Sequence, residues 1–242
     1  MRLDRWLVAL GVGSRSQVQK LIRSGAVRVS GQTAHDPAQS LNGDEPLTLH
    51  GEPLDGRLTR HIMLYKPAGL LTAARDRKQP TVMDLLPTAC ASLGCMPVGR
   101  LDKDTTGLLL LTTDGELNHR LLAPGRHVDK TYRATVDGPL TQAHVSAFAA
   151  GLRLSDFEAQ PATLTILSSG EAESVALVTV HEGKFHQIKR MFEAVERQVT
   201  ALHRLTFGSL TLDEALAPGQ WRELTEAELD ALYQDAHMKE PI

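Results

Sequence analysis

Apolar residues near the start of the chain fall at Leu3, Trp6, Leu7 and Leu10, the i, i+3, i+4, i+7 spacing that lays one stripe along a helix. Gly11 and Gly13 interrupt it. Ser14 then offers an N-cap oxygen to a second predicted helix, whose inward positions are Val18, Leu21 and Ile22 and which stops at Gly25. Ala26–Ser30 alternates as a half-buried strand does, and Gly31-Gln32 turns it back through Thr33-Ala34. Helix, helix and hairpin are thus predicted in that order, with Asn42–Leu58 supplying the hairpin's last strand and a linker.

The pattern then changes. His61–Tyr65 predicts a strand that runs into the turn Lys66-Pro67-Ala68-Gly69. A short helix is expected near Val82–Leu86, a strand over Leu108–Thr113, a turn at Asp114-Gly115 and a helix over Glu116–Leu122. Thr131–Val136, Ala162–Leu167, Val175–Val180 and Leu202–Leu212 read as strands, Gln142–Ala150 and Glu226–Tyr233 as helices. Phe185, Ile188 and Phe192 fall at i, i+3 and i+7, so a helix over Phe185–Val195 is predicted to turn all three inward and Lys189 and Arg190 outward. Strands outnumber helices and several are joined by tight turns, which favours an α+β fold with a mainly antiparallel, mixed sheet. The change of pattern predicts two domains, residues 1–57 and 58–242.

Composition adds limits. A chain of 242 residues that is 42% hydrophobic can bury a substantial core, and with only 4% aromatics that core must be mostly Leu, Val and Ala. The net charge of −3 does not announce a nucleic-acid binder, but the charge is uneven. Arg2, Arg5, Arg15, Lys20, Arg23 and Arg28 face Asp4 alone at the head, whereas the tail from Asp213 to Glu240 is strongly acidic. A basic head offers phosphates a positive face whatever the sum. Cys90 and Cys95 make neither a disulfide framework nor a four-ligand metal site, and no apolar run approaches the roughly 20 residues of a membrane span. A soluble, cytoplasmic protein is expected.

The chemistry concentrates in Gly99–Leu108, GRLDKDTTGL, which sets Asp102 in a glycine-bounded turn directly before the apolar run Leu108–Leu111. An acid at a strand entrance is exposed enough to reach a substrate and rigid enough to aim at it. A lone Asp in such a turn is ordinarily an Asx-turn or cap residue. Continued as TTGLLLLTTDG, however, the stretch resembles the catalytic loop of the pseudouridine synthases, of the RsuA type in particular, which isomerise chosen uridines of ribosomal RNA. KPAG at Lys66, KTY at Lys130 and HQIKRMF at His186 follow that branch in order. SRSQVQKLIRSGAVRVSG resembles the S4 RNA-binding domain, with Ser30 where Asn is usual.

The reaction so implied breaks the N1–C1′ bond of a uridine, turns the detached uracil and rejoins it through C5. It requires a base taken out of its stack and a carboxylate near the sugar carbon. It requires no metal and no cofactor. The resemblance implies Asp102 as the carboxylate, Arg100 as the residue that helps displace the base, Tyr132 as a stacking face for the uracil, and Lys189 as the cation that keeps Asp102 ionised. Asp104 is expected to brace the turn, and His186 to start a helix. Lys66 is expected to support the loop or the RNA. Arg15, Lys20, Arg23, Arg28, Lys130 and Arg190 complete the expected RNA contacts.

The run Arg126–Tyr132 and the acidic C-terminus look most like the small-subunit, 16S-directed enzymes. The implied partner is ribosomal RNA or a partly assembled small subunit, met by a monomer without a membrane. A large-subunit (23S) enzyme of the same branch and a non-catalytic S4-type assembly factor are the alternatives. Whether Asp102 attacks C1′ or assists removal of the 2′ proton is open.

Overall fold

The two amphipathic stripes fold as α1 (Leu3–Ala9) and α2 (Arg15–Arg23) in a computed structural model that describes residues 1–123, 125 and 128–238. Ser14 accepts from the Gln17 N–H while the Gln17 side chain accepts from the Ser14 N–H, a reciprocal capping box. β1 (Val27–Val29) pairs antiparallel with β2 (Gln32–Thr33) and β3 (Leu47–Leu49), and β3 pairs with β4 (Glu52–Leu54). The linker expected up to Leu58 therefore holds a further strand, turned at His50-Gly51, both in the left-handed region. Ser30 also takes a positive φ, 49°. Asn tolerates that conformation better than Ser does, which explains the usual residue there.

Leu3, Trp6, Leu7, Val18, Ile22, Val27 and Val29 form the core of this unit. The unit comprises Met1–Arg60 together with Leu86–Cys95, the latter carrying the short α3 (Thr88–Ser92). The second unit comprises His61–Leu85 and Met96–Ile242.

In the second unit the chain forms β5 (His61–Lys66), β6 (Met96–Pro97), β7 (Thr106–Thr112), α4 (Gly115–Leu122), β8 (Lys130–Asp137) and α5 (Gln142–Ala150). A small hairpin, β9 (Leu152–Arg153) and β10 (Glu158–Ala159), precedes β11 (Thr163–Ser168) and β12 (Glu173–Val180). α6 (Gln187–Glu193), β13 (Val199–Phe207), β14 (Leu210–Thr211), β15 (Trp221–Glu223) and α7 (Glu226–Asp235) complete it. The main sheet runs β11-β12-β8-β13-β7-β5-β15, antiparallel except where β13 and β7 run parallel. Met63, Leu108, Leu110, Leu117, Phe207 and Leu232 pack one of its cores.

The parallel junction is short, His203 opposite Thr106 and Arg204 opposite Gly107. Gly107 has φ 106°, and a Cβ there would lie 2.2 Å from the Arg204 carbonyl oxygen, so only glycine lets the strands meet.

Several predicted elements change form. The helix expected at Val82–Leu86 is a 3-10 turn, Val82–Leu85. The strand expected over Leu202–Leu212 breaks at Gly208-Ser209, and β14 folds back on β13. α6 begins at Gln187 rather than Phe185, because His186 sits in the left-handed region at φ 51°, ψ 28° and cannot continue a right-handed helix. Among the described residues no helix is long and apolar enough to cross a membrane.

Candidate active site

The loop carrying Asp102 is held from beneath. Lys66, fully buried at the end of β5, donates from Nζ to the carbonyl oxygens of Pro67 (3.1 Å), Asp102 (3.1 Å), Lys103 (3.2 Å) and Thr105 (2.9 Å). Gly69 N–H donates to the Lys103 carbonyl at 2.8 Å, Thr105 N–H to that of Asp102 at 3.1 Å, and Thr72 Oγ1 to that of Leu101 at 2.8 Å. The KPAG turn and the GRLD turn are thereby one hydrogen-bonded body. Burial pushes the Lys66 ammonium down to about 8, opposed by Asp104 and Asp102. Lys66 as an RNA ligand is thus corrected: it has no exposed surface, and its donors belong to the loop. The loop-supporting role is the one its geometry fits.

So fixed, the Asp102 carboxylate stands at the wall of an open pocket lined also by Arg100, Thr105, Tyr132, Val180, His186, Lys189 and Leu202. Asp102 is 26% exposed. Lys189 Nζ lies 3.5 Å from its Oδ2 and His186 Nε2 3.5 Å from its Oδ1. Tyr132 sits among the inward residues of β8, and Arg100 is exposed at the rim. The residues the sequence put forward for chemistry therefore share one cavity.

Two relationships differ from expectation. Lys189 makes its hydrogen bonds to Asp104, at 2.7 and 2.8 Å, rather than to Asp102. That bond holds the Asp104 carboxyl below its usual range. One ammonium thus stands between two carboxylates, and Asp104 does more than brace a turn. His186 starts α6 as expected, but its ring also faces Asp102. Sequence reading had no signal for that, because the left-handed backbone that aims the ring is not visible in residue spacing.

Lys130 is corrected as an RNA contact, and Arg190 is found ion-paired within the protein. The alternation that buries Tyr132, Ala134 and Val136 buries Lys130 too. Its Nζ donates to the Val128 carbonyl at 2.6 Å and lies 5.4 Å from the centroid of the Phe207 ring. Burial, reinforced by Arg204 and opposed by Asp129, pushes Lys130 down to about 8. Arg190 is engaged by Asp156 and Ser155 of the β9–β10 hairpin and lies over the Phe157 ring. Arg15, Lys20, Arg23 and Arg28 are all exposed in the first unit, with Arg15 3.9 Å from the buried Asp4. Arg126 and His127 lie outside the described residues.

Comparison with known proteins agrees along the chain. Residues 60–194 match the family described as RNA pseudouridylate synthase, and residues 1–46 match the S4 domain. A Pseudomonas aeruginosa protein named ribosomal small subunit pseudouridine synthase A is 41% identical over 95% of this chain and 99% of its own length. A Bacillus subtilis (strain 168) protein, the uncharacterized RNA pseudouridine synthase YtzG, is 42% identical over 96% of this chain and 98% of its own. A crystal structure of a pseudouridylate synthase is similar with a TM-score of 0.67 at 34% identity, covering 96% of this chain and 99% of that one.

Proposed function

The chain belongs to the RNA pseudouridylate synthase family, and from that premise we propose that it converts a uridine of small-subunit (16S) ribosomal RNA to pseudouridine, with Asp102 acting at C1′. The observation that carries this is the pocket that brings Asp102, Tyr132, Lys189 and Arg100 to one cavity on a loop clamped by Lys66. Near full-length similarity to relatives named for the small subunit supports the choice of RNA.

The roles follow from the chemistry. The uridine leaves its stack to enter the pocket, and Arg100 at the rim helps displace the base and fill the gap. Asp102 acts at the sugar carbon as a carboxylate, with the Lys189 ammonium 3.5 Å from its Oδ2. The N1–C1′ bond breaks. Tyr132 then offers the detached uracil a flat face, which retains the base without fixing its rotation. The uracil turns, C5 bonds to C1′, and C5 gives up its proton while the freed N1 takes one up, which restores the ring. Arg15, Lys20, Arg23 and Arg28 of the S4 unit supply phosphate contacts.

Carbodiimide treatment and primer extension test this on 16S transcript, 23S transcript and assembling small subunits. The expected result is a single new stop in 16S RNA, absent with Asp102→Asn, while RNA binding by that variant stays within a few-fold of wild type. A stop only in 23S RNA overturns the substrate. No stop in any RNA, with tight binding retained, overturns catalysis in favour of a binding role.

A further inference from the structure

Phe185 does not lie where its spacing with Ile188 and Phe192 assigns it. Those two are buried, while Phe185 is 68% exposed. The cause is local: His186 in the left-handed region turns the chain out of helical phase just before α6. The segment is nonetheless well tied. Lys184 N–H donates to Gln187 Oε1 at 3.1 Å, Gln187 N–H to the Lys184 carbonyl at 3.2 Å, and Gln187 Nε2 to Glu182 Oε2 at 3.0 Å. A non-glycine residue held at positive φ beside the candidate catalytic carboxylate is strain of the kind found at functional sites.

The exposed ring has a defined orientation. It stacks on His186 with centroids 3.8 Å apart and planes 18° apart. His186 in turn lies 3.5 Å from Asp102, so the stack runs from the carboxylate through His186 to the exposed Phe185 ring. Lys184 and His186 line the pocket, whereas Phe185 between them does not. The backbone on either side is fixed as well: Arg190 donates to the Phe185 carbonyl at 3.5 Å, and Lys184 and Arg190 both lie over the Phe157 ring. An exposed flat ring backed by a second ring suits the face of a nucleobase.

We propose that Phe185 stacks on the base of a nucleotide adjoining the target uridine. Drawing a uridine out of its stack leaves that neighbour with a bare face, and the exposed Phe185 ring, stacked on the pocket-lining His186, covers it. The target base itself meets Tyr132 inside the pocket, so the two aromatics serve different nucleotides. This rests on the functional reading above.

The test is equilibrium binding of the full-length protein to a 16S fragment containing the modified site, alongside fragments with an abasic nucleotide on its 5′ or 3′ side. Phe185→Ala should weaken binding to the intact RNA by roughly 5- to 150-fold, the range of one base–aromatic stack, while Phe185→Trp stays near wild type. Wild type should lose a similar factor on one of the two abasic RNAs, and on that RNA Phe185→Ala should lose nothing more. A melting temperature for Phe185→Ala within about 2 °C of wild type would exclude a folding defect. Phe185→Ala binding within two-fold of wild type, or equal further losses on both abasic RNAs, overturns the platform. Carbodiimide stops with wild type on the intact fragment report the underlying activity separately, so a failed platform and a failed functional reading are told apart.

Discussion

Seven of the cations expected to meet RNA divide by unit. In the first, Arg15, Lys20, Arg23 and Arg28 all stand exposed. In the second, Lys66 and Lys130 lie buried, and Arg190 is tied to a hairpin. All seven look alike as basic residues near RNA-binding motifs. The difference is architectural: a surface helix or hairpin keeps charge on its outer face, whereas a lysine at a sheet end can thread its stem inward and give its ammonium to carbonyls. Lys66 therefore acts on RNA through the loop it organises.

Lys66→Met should break that comparison most severely. It leaves the Pro67, Asp102, Lys103 and Thr105 carbonyls without the ammonium, at a cost of about 2–4 kcal/mol from the missing buried hydrogen bonds. Pseudouridine formation should fall at least ~100-fold, the order expected when a catalytic group moves by about 1 Å. Thermal denaturation and single-turnover kinetics check both. If the variant is stable and loses only salt-dependent RNA affinity, Lys66 is a phosphate ligand and the comparison fails.

Next in size is the exposed set. Replacing Arg15, Lys20, Arg23 and Arg28 by Gln should weaken RNA binding about tenfold or more. The slope of log affinity against log salt should fall by up to roughly 0.7–0.9 for each phosphate left without its cation. Stability should change by under about 0.5 kcal/mol per site. Filter binding across a salt series decides it, and an unchanged slope would remove the set from the RNA interface.

A pH series sharpens the contrast. Lys66 titrates near 8 in the fold against 10.5 ordinarily, so between those values the folded protein binds fewer protons than the unfolded chain. Its contribution to stability therefore rises with pH across that window. Activity should move the other way as pH climbs through about 8, because an amine has fewer protons to share among the carbonyls. Turnover that falls while the contribution of Lys66 to stability, read by comparison with Lys66→Met, does not fall is the expected signature.

The smallest effect belongs to Asp104→Asn. It frees Lys189 for Asp102, so kcat should change only a few-fold, with RNA affinity near wild type. A loss as deep as that of Asp102→Asn would show Asp104 to be the acting carboxylate.

Much of this was legible before folding. The helical stripe from Leu3 to Leu10, the strand alternation around β1 and the GRLD turn before an apolar run each report local geometry, and local geometry is what residue spacing encodes. The S4-like head, the α+β class and the candidates Asp102, Tyr132 and Lys189 came from such patterns and from the motifs they resemble. Lys130 was legible in principle, since the alternation that buries Tyr132 buries it too.

Other features existed only once distant segments met. The resemblance implied that Lys66 supports the loop or the RNA, but its carbonyl partners appear only where β5 and the Asp102 turn end side by side. Lys189 chose Asp104 over Asp102 by a difference of less than an ångström. Phe185 was turned outward by one left-handed residue against a sound apolar spacing. The sequence by itself determined which residue types were present and the periodicity of their elements. Tertiary structure decided which charges were buried, paired or left to meet RNA, because burial and pairing depend on what the rest of the chain brings alongside.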